Sequence, residues 1–533
     1  MTHDNHHPLD PHHRQPPGST GRAQGLIRPG LRQRLAAALL ALAAGACGAQ
    51  PASTPASPQA AAADRFQWLY PGVYTPREAP LVTQYLAANQ ALKQRGPIDV
   101  GKLVRGELPK DTPGLGGVVQ ATEDWVRYNN AKLDPDNPLR NDRGYARRAG
   151  HADILAFPSF AANDDIFMQP YPGAARDRLL VSQLNHSITA LRPIYPGDTL
   201  YLVADEREVL DLTPPAGSTY RSLAINTRGS IYNQRGEKVN EVVFRVTESI
   251  RLYKNPQDAP KNPGFFDIWE APDWLRRPAH FYTDADWARI QDIWRNEKRQ
   301  GATPLYWEDV QLGDRPAATA DGPVMASVSP VKPWGMGSGG SRTLRREILD
   351  PVLSRQLIRG AKDGIWRTAD RAGYVPPTPP QPAGGPAMPP PPDAGGIVTT
   401  DIHKDGEKRS PLVNYMGRDF AIRHIGNWMG DAGWLHNIRW SIMDPRGHAD
   451  HGLPVTSNPA AEHFLDRVPS MKGRYVAAHG LTQDLALVRS EVVGKFVRNG
   501  EFMVDLVWWI ETIDGQVWQE GAATVRLPSR RQR

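Results

Sequence analysis

The chain has 533 residues, with 63 Lys+Arg against 57 Asp+Glu and one cysteine. That length provides for several domains with sizeable cores, and a lone cysteine excludes a disulfide scaffold and any Cys-rich metal site. The net charge of +6 argues for no nucleic-acid surface: half of it sits in residues 1–46, half in the last four residues, and the stretch between is nearly neutral.

Leu35–Ala44 reads LAAALLALAA, follows Arg28, Arg32 and Arg34, and runs into the small residues Ala44-Gly45-Ala46. It is too short to span a bilayer as a helix, and the order positive, apolar, small is that of a secretory signal. Cys47 comes next, followed by a Pro/Ser/Ala tether to residue 63. The segment resembles a bacterial lipoprotein signal, which implies lipidation of Cys47 and an exported, membrane-anchored protein on the periplasmic side. Ala44 stands where such signals usually carry Leu. The competing reading is an Ala/Leu-rich stretch ahead of a misassigned start, which leaves the protein cytoplasmic.

Beyond the tether, residues 64–255 form a first unit. Tyr220–Tyr232 and Glu237–Tyr253 are strand-like and flank a turn at Asn233–Gly236. Residues 256–304 are a linker. In it, Thr283-Asp284-Ala285-Asp286 caps a helix whose Trp287, Ile290, Ile293 and Trp294 make one apolar stripe. Residues 305–533 form a second unit. It carries a Pro-rich insert at 374–396, a helix at Arg418–Met429 ended by Gly430, and two strands, Glu501–Thr512 and Gln516–Leu527, around Asp514-Gly515. The similar hairpins, and the matching Val100-Gly101-Lys102 and Leu312-Gly313-Asp314, suggest an internal duplication. A first-unit counterpart of the Arg418 helix is expected to begin at Pro158. One apolar helix per unit, wrapped by long antiparallel strands, is an α+β arrangement.

Asp136–Phe160 (DNPLRNDRGYARRAGHADILAFPSF) and Arg192–Leu200 (RPIYPGDTL) resemble the hydratase-motif region and the Pro-Gly-Asp-Thr strand start of MaoC-like acyl dehydratases, the family of the (R)-specific enoyl-CoA hydratases. Arg299–Asp314, Ile425–Leu435 and Gly515–Arg530 are similar to the tandem members. The resemblance covers about residues 100–530. It implies a double hot-dog, two sheets each wrapping a long helix in one chain, with an acyl-CoA thioester as partner, no cofactor, no nucleic acid, and homodimerisation left open. It also implies acid–base (de)hydration of the hydro-lyase type: one group takes a proton as water attacks Cβ and another returns one to Cα.

The family supplies that pair on a D-x-N-P-[L/I]-H-x-D motif. In the first unit Asn137, Pro138, Leu139 and Asp142 match, but Pro135 stands in the Asp place and Arg140 in the His place. Arginine stays protonated, so this site reads as degenerate, with Asp134 or Asp136 as register-shifted substitutes and Asn137 kept for substrate binding. In the second unit Asp401-Ile402-His403-Lys404-Asp405 offers His403 with Asp401 or Asp405 as catalytic groups, although Val398 occupies the motif Asp position. Taken alone, the spacing favours a solvated loop after the insert, and the resemblance brings the two readings level. Trp428 is a candidate for the acyl tunnel wall. Gly335–Gly340 lacks the βαβ context of a dinucleotide site, and His448, His451 and His463 lie in a polar loop and suggest no metal. Of Trp508 and Trp509, adjacent in a strand, one ring is expected to point inward and the other outward. Two functions therefore compete: an acyl-thioester hydro-lyase, and an exported, non-catalytic lipoprotein that binds an acyl or other apolar ligand.

Overall fold

The computed structural model describes residues 78–162, 178–211, 220–251, 277–324, 342–368, 409, 412, 414–441, 462–474 and 480–532. It is α+β, dominated by one antiparallel ten-stranded sheet. The elements run α1 (Glu78–Arg95), α2 (Val100–Val104), β1 (Leu115–Gln120), α3 (Glu123–Leu133), α4 (Pro138–Asn141), α5 (Arg143–Arg148), β2 (Arg178–Ala190), β3 (Thr199–Asp211), β4 (Tyr220–Tyr232) and β5 (Lys238–Arg251). After these come α6 (Asp284–Asn296), β6 (Thr319–Asp321), α7 (Arg342–Leu349), β7 (Leu357–Arg359), β8 (Trp366–Thr368), α8 (Asn414–Met429), β9 (Trp434–Ser441), β10 (Ala486–Arg498), β11 (Glu501–Glu511) and β12 (Val517–Leu527).

The strand order in the large sheet is β1-β3-β4-β5-β2-β9-β12-β11-β10-β6. Read inward from either edge, each half presents its strands in the same order: first, third, fourth, fifth, second. β7 and β8 form a separate hairpin. The duplication inferred from the hairpins is thus written into the topology. The halves join where β2 meets β9 antiparallel, with Ile188 opposite Ile438 and His186 opposite Trp440. Trp434 donates its indole N–H to the Ala190 carbonyl at 2.8 Å, and Asn437 donates to Thr189 Oγ1 at 2.8 Å, so side chains of the second half pin the seam.

In the second half the sheet wraps α8. Met416, Phe420, Ala421, Ile422 and Ile425 of the helix are buried with Leu435, Trp440, Val488, Trp508 and Val525 of the strands in the principal core. Gly430, in the left-handed region at φ 69°, ends the helix as expected. The counterpart expected from Pro158 does not start there. Residues 158–161 are a turn, closed by Phe160 N–H to the Phe157 carbonyl, and Ala161 has φ 59°, which takes the chain out of a right-handed helix. The segment that follows, residues 163–177, is outside the described residues, as is the Pro-rich insert. Val100–Val104 is a helix capped by Asp99, whereas Leu312–Asp314 lies in a turn, so those two segments are not structural equivalents.

The linker helix α6 carries the expected capping box between Thr283 and Asp286. Its Trp287, Ile290 and Trp294 build a second core with Tyr282, Ala320, Leu344, Ile365 and Leu487. Trp508 and Trp509 point to opposite faces, yet both are buried. Phe464, Leu465, Val468 and Met471 cover the outer face and enclose Trp509 in a third cluster. Glu520 fixes that cover by accepting the backbone N–H groups of Phe464 and Leu465 at 3.0 and 2.8 Å.

β12 approaches its neighbours closely at Gly521. A Cβ there would lie 2.2 Å from the Arg439 carbonyl oxygen and 2.3 Å from Trp508 Cζ2. Neither atom is the end of a flexible chain, so Gly521→Ala is expected to destabilise the fold by about 1–3 kcal/mol through overpacking, measurable as a lower urea midpoint at unchanged slope. Among the described residues no helix is long and apolar enough to cross a membrane.

Candidate functional site

The motif loop of the first half is built from α3 onward. Thr122 caps α3 by accepting the Trp125 N–H, and the helix stops at Asp134, whose φ of −148° turns the chain away. Asn137 then caps α4, accepting the Leu139 N–H at 3.1 Å, with Pro138 at the first helical position, where a missing N–H costs nothing. The same Asn137 side chain donates to Asp134 Oδ2 at 2.7 Å, so its amide is engaged at both ends inside the loop. Asn141 ties the turn by donating to the carbonyls of Asp134, Pro135 and Asn137.

Arg140 stands where the motif has His. It is buried, donates from Nε to Asp134 Oδ2 at 3.3 Å and from a terminal nitrogen to the Ala156 carbonyl at 2.6 Å, and lies over the Phe157 ring at 5.1 Å. Burial lowers its pKa, and the Asp134 carboxylate opposes that shift. A guanidinium retains its proton in proteins, so the pair is a fixed ion pair rather than an acid–base couple. Of the two register-shifted substitutes, Asp134 is the carboxylate that meets Arg140. Asp136 points elsewhere and accepts from Arg345 at 3.3 Å.

A charged network carries this loop onto the second half. Arg299 from the linker donates to the Asp136 carbonyl at 3.3 Å and to Asp431 at 2.6 Å, and the Tyr145 hydroxyl donates to the other Asp431 oxygen. Arg423 of α8 pairs with Asp321 of β6 and donates to the Leu133 carbonyl at the end of α3. His151 borders the loop, 3.5 Å from the Tyr195 hydroxyl. Burial lowers its pKa, Arg140 lowers it further, and Asp431 acts against both.

α8 carries polar groups that the sequence pattern did not single out: Arg418, Asp419, Arg423 and His424 are all buried. His424 is satisfied at both ring nitrogens, by Ser490 Oγ at 2.8 Å and Thr319 Oγ1 at 3.3 Å, and burial, then Arg423 and Arg489, hold its pKa down at about 3. Asp419 accepts from Ser159 of the first half at 2.8 Å and from Arg418 Nε at 2.9 Å. The available signal was charge inside a helix whose surroundings had to be apolar on most sides.

Trp428 sits partly buried near the end of α8, packed against the principal core. Cys47, Asp401, His403 and Asp405 lie outside the described residues. Among the described residues no group of acidic, His or Cys side chains could hold a metal. One His–carboxylate pair among them, His280 with Asp286 at 3.0 Å, belongs to the α6 cap and is remote in role from the motif loop.

No family model matches the chain, and neither does any curated protein. Solved structures similar in fold include a MaoC-like dehydratase at 10% identity and TM-score 0.34, covering 78% of this chain and 98% of its own. Another is a Mycobacterium tuberculosis protein described as a double hot-dog, at 12% identity and TM-score 0.35, with 81% and 98% covered. A third is a MaoC-like dehydratase from Phytophthora capsici at 11% identity and TM-score 0.31, with 81% and 99% covered. The structural neighbours are thus MaoC-like dehydratases at a distance.

Proposed function

We propose that the chain is a MaoC-like acyl-dehydratase-type protein that takes an acyl thioester, with a first half silent in proton transfer and a second half that carries the (de)hydration. The observation behind this division is the buried Asp134–Arg140 pair: the first-half motif loop keeps its turn, its Asn-Pro pair and its docking onto α8, but Pro135 fills the carboxylate place and Arg140, in the His place, is held in an ion pair with the neighbouring Asp134. In this reading His403 takes a proton from water as oxygen bonds to Cβ, and Asp401 or Asp405 supports the imidazole and the return of a proton to Cα. Asn137 acts through the loop it holds together, and Trp428 lines the acyl tunnel.

The same ion pair supports a second reading, in which both motif positions have left catalysis and the chain is an exported acyl-binding lipoprotein anchored at Cys47. Two experiments separate the readings. Full-length protein is incubated with enoyl-CoAs from crotonyl-CoA upward; the expected result is hydration at one or more chain lengths. Tight binding of acyl-CoA without turnover at any length favours the binding protein, and neither binding nor turnover contradicts both. Labelling with a palmitate analogue is expected in the wild type and absent in Cys47→Ala; equal labelling of the two excludes that anchor.

A further inference from the structure

We propose that His186, Trp440 and Asp419 form a second, buried polar site at the seam of the two halves, one that holds a neutral hydroxyl or carbonyl group carried on an acyl chain. The existence of the site stands on its own geometry; the acyl nature of its ligand rests on the function proposed above.

His186 of β2 and Trp440 of β9 face each other in register across the seam, with ring centroids 5.3 Å apart, and Phe244 closes on the imidazole edge-on at 4.8 Å. The Arg418 guanidinium lies over the Trp440 ring at 5.0 Å and donates to Asp419, which Ser159 holds from the first half. All five polar or aromatic groups, Ser159, His186, Arg418, Asp419 and Trp440, are fully buried. Both ring nitrogens of His186, the indole N–H of Trp440 and one carboxyl oxygen of Asp419 have no hydrogen-bond partner among the described residues.

An unsatisfied buried polar atom costs about 1–3 kcal/mol, and native chains satisfy nearly all of theirs. Four such atoms gathered on one stretch of seam define a place built to be satisfied by something else. The chemistry narrows what that is. His186 is kept neutral, its pKa lowered to about 3 first by burial and then by Arg418 and Arg245, so its ring offers one donor and one acceptor. The Asp419 pKa is raised by burial against the pull of Arg418 and Ser159. With Arg418 already set against Asp419, the free atoms comprise a neutral donor–acceptor ring, one further N–H and one carboxyl oxygen. That set suits a hydroxyl or carbonyl, which both gives and accepts or only accepts, better than an ion.

The test compares calorimetric affinities of the full chain for 3-hydroxyoctanoyl-CoA and octanoyl-CoA, with 2-octanol as a thioester-free probe. The expected result is about a tenfold preference for the hydroxylated ester, collapsing to under twofold in His186→Phe. Trp440→Phe, which deletes only the indole edge, is expected to reduce the preference too and serves if His186→Phe does not fold. Equal binding of the two esters by wild type overturns the site and leaves the acyl reading standing. Binding of 2-octanol that depends on His186, with neither ester bound, supports the site and overturns the thioester reading. No binding of any probe overturns both.

Discussion

Two buried histidines are expected to lower stability by about 2.7 kcal/mol per pH unit between them as pH drops from 6 toward 4, each contributing about 1.4. His186 and His424 both have folded-state pKa values of about 3, against an ordinary 6.5. Below 6.5 the unfolded chain takes up protons that the folded chain refuses, so stability is lost through the window between 6.5 and 3. Above that window the two groups contribute no pH dependence. The carboxyls of buried Asp419 and partly buried Asp205 work in the opposite sense: desolvation raises both, the folded chain protonates them first, and acid relieves part of their cost. Urea unfolding at several pH values reads the slope. His424→Gln, which can still bond Ser490, and His186→Phe are each expected to flatten it by about half. A flat wild-type profile, or variants that keep the full slope, contradicts the neutral buried state.

The second large effect is at Arg140. Arg140→Met leaves the Asp134 carboxylate buried with Asn137 as its side-chain donor, and removes a bond to the Ala156 carbonyl. Breaking a buried pair in this way typically costs about 3–5 kcal/mol. Asp134→Leu combined with Arg140→Met removes both charges and is expected to recover much of that loss, since an apolar replacement of a buried pair is often close to neutral. Denaturant titration of the wild type, both single variants and the double variant gives the coupling. Additive losses would show that the loop does not depend on the pair. The pair matters to the assignment because it separates a loop that has kept its architecture from one that still moves protons.

The periodic parts of the chain were open to reading. β4 spans Tyr220–Tyr232 as expected, because alternating apolar residues end at a turn signal, and α6 follows its capping box. Local patterns fail where tertiary cover decides the outcome. One ring of the Trp508-Trp509 pair was expected to face outward; Trp509 does face away from the principal core, but the Phe464–Met471 segment buries it. Pro158 is a good first residue for a helix, yet the chain takes a turn there and leaves it through a left-handed Ala161.

The motif loop shows the same division. Counting residues puts Pro135 in the carboxylate place, whereas in space Asp134 reaches Arg140, a substitution that spacing offered without choosing. The seam site left still less trace in sequence: His186 and Trp440 are 254 residues apart, and only the β2–β9 register brings them together. Asp401, His403 and Asp405, on which the proposed chemistry rests, lie outside the described residues.

The most direct test is kcat/KM for enoyl-CoA hydration, per folded molecule, in wild type, His403→Ala and Arg140→Lys. With proton transfer in the second half, His403→Ala is expected to lose at least about 100-fold. Arg140→Lys, which keeps the charge beside Asp134, is expected to stay within a few-fold of wild type. Full activity in His403→Ala, or a collapse confined to Arg140→Lys, would contradict the division of labour between the halves.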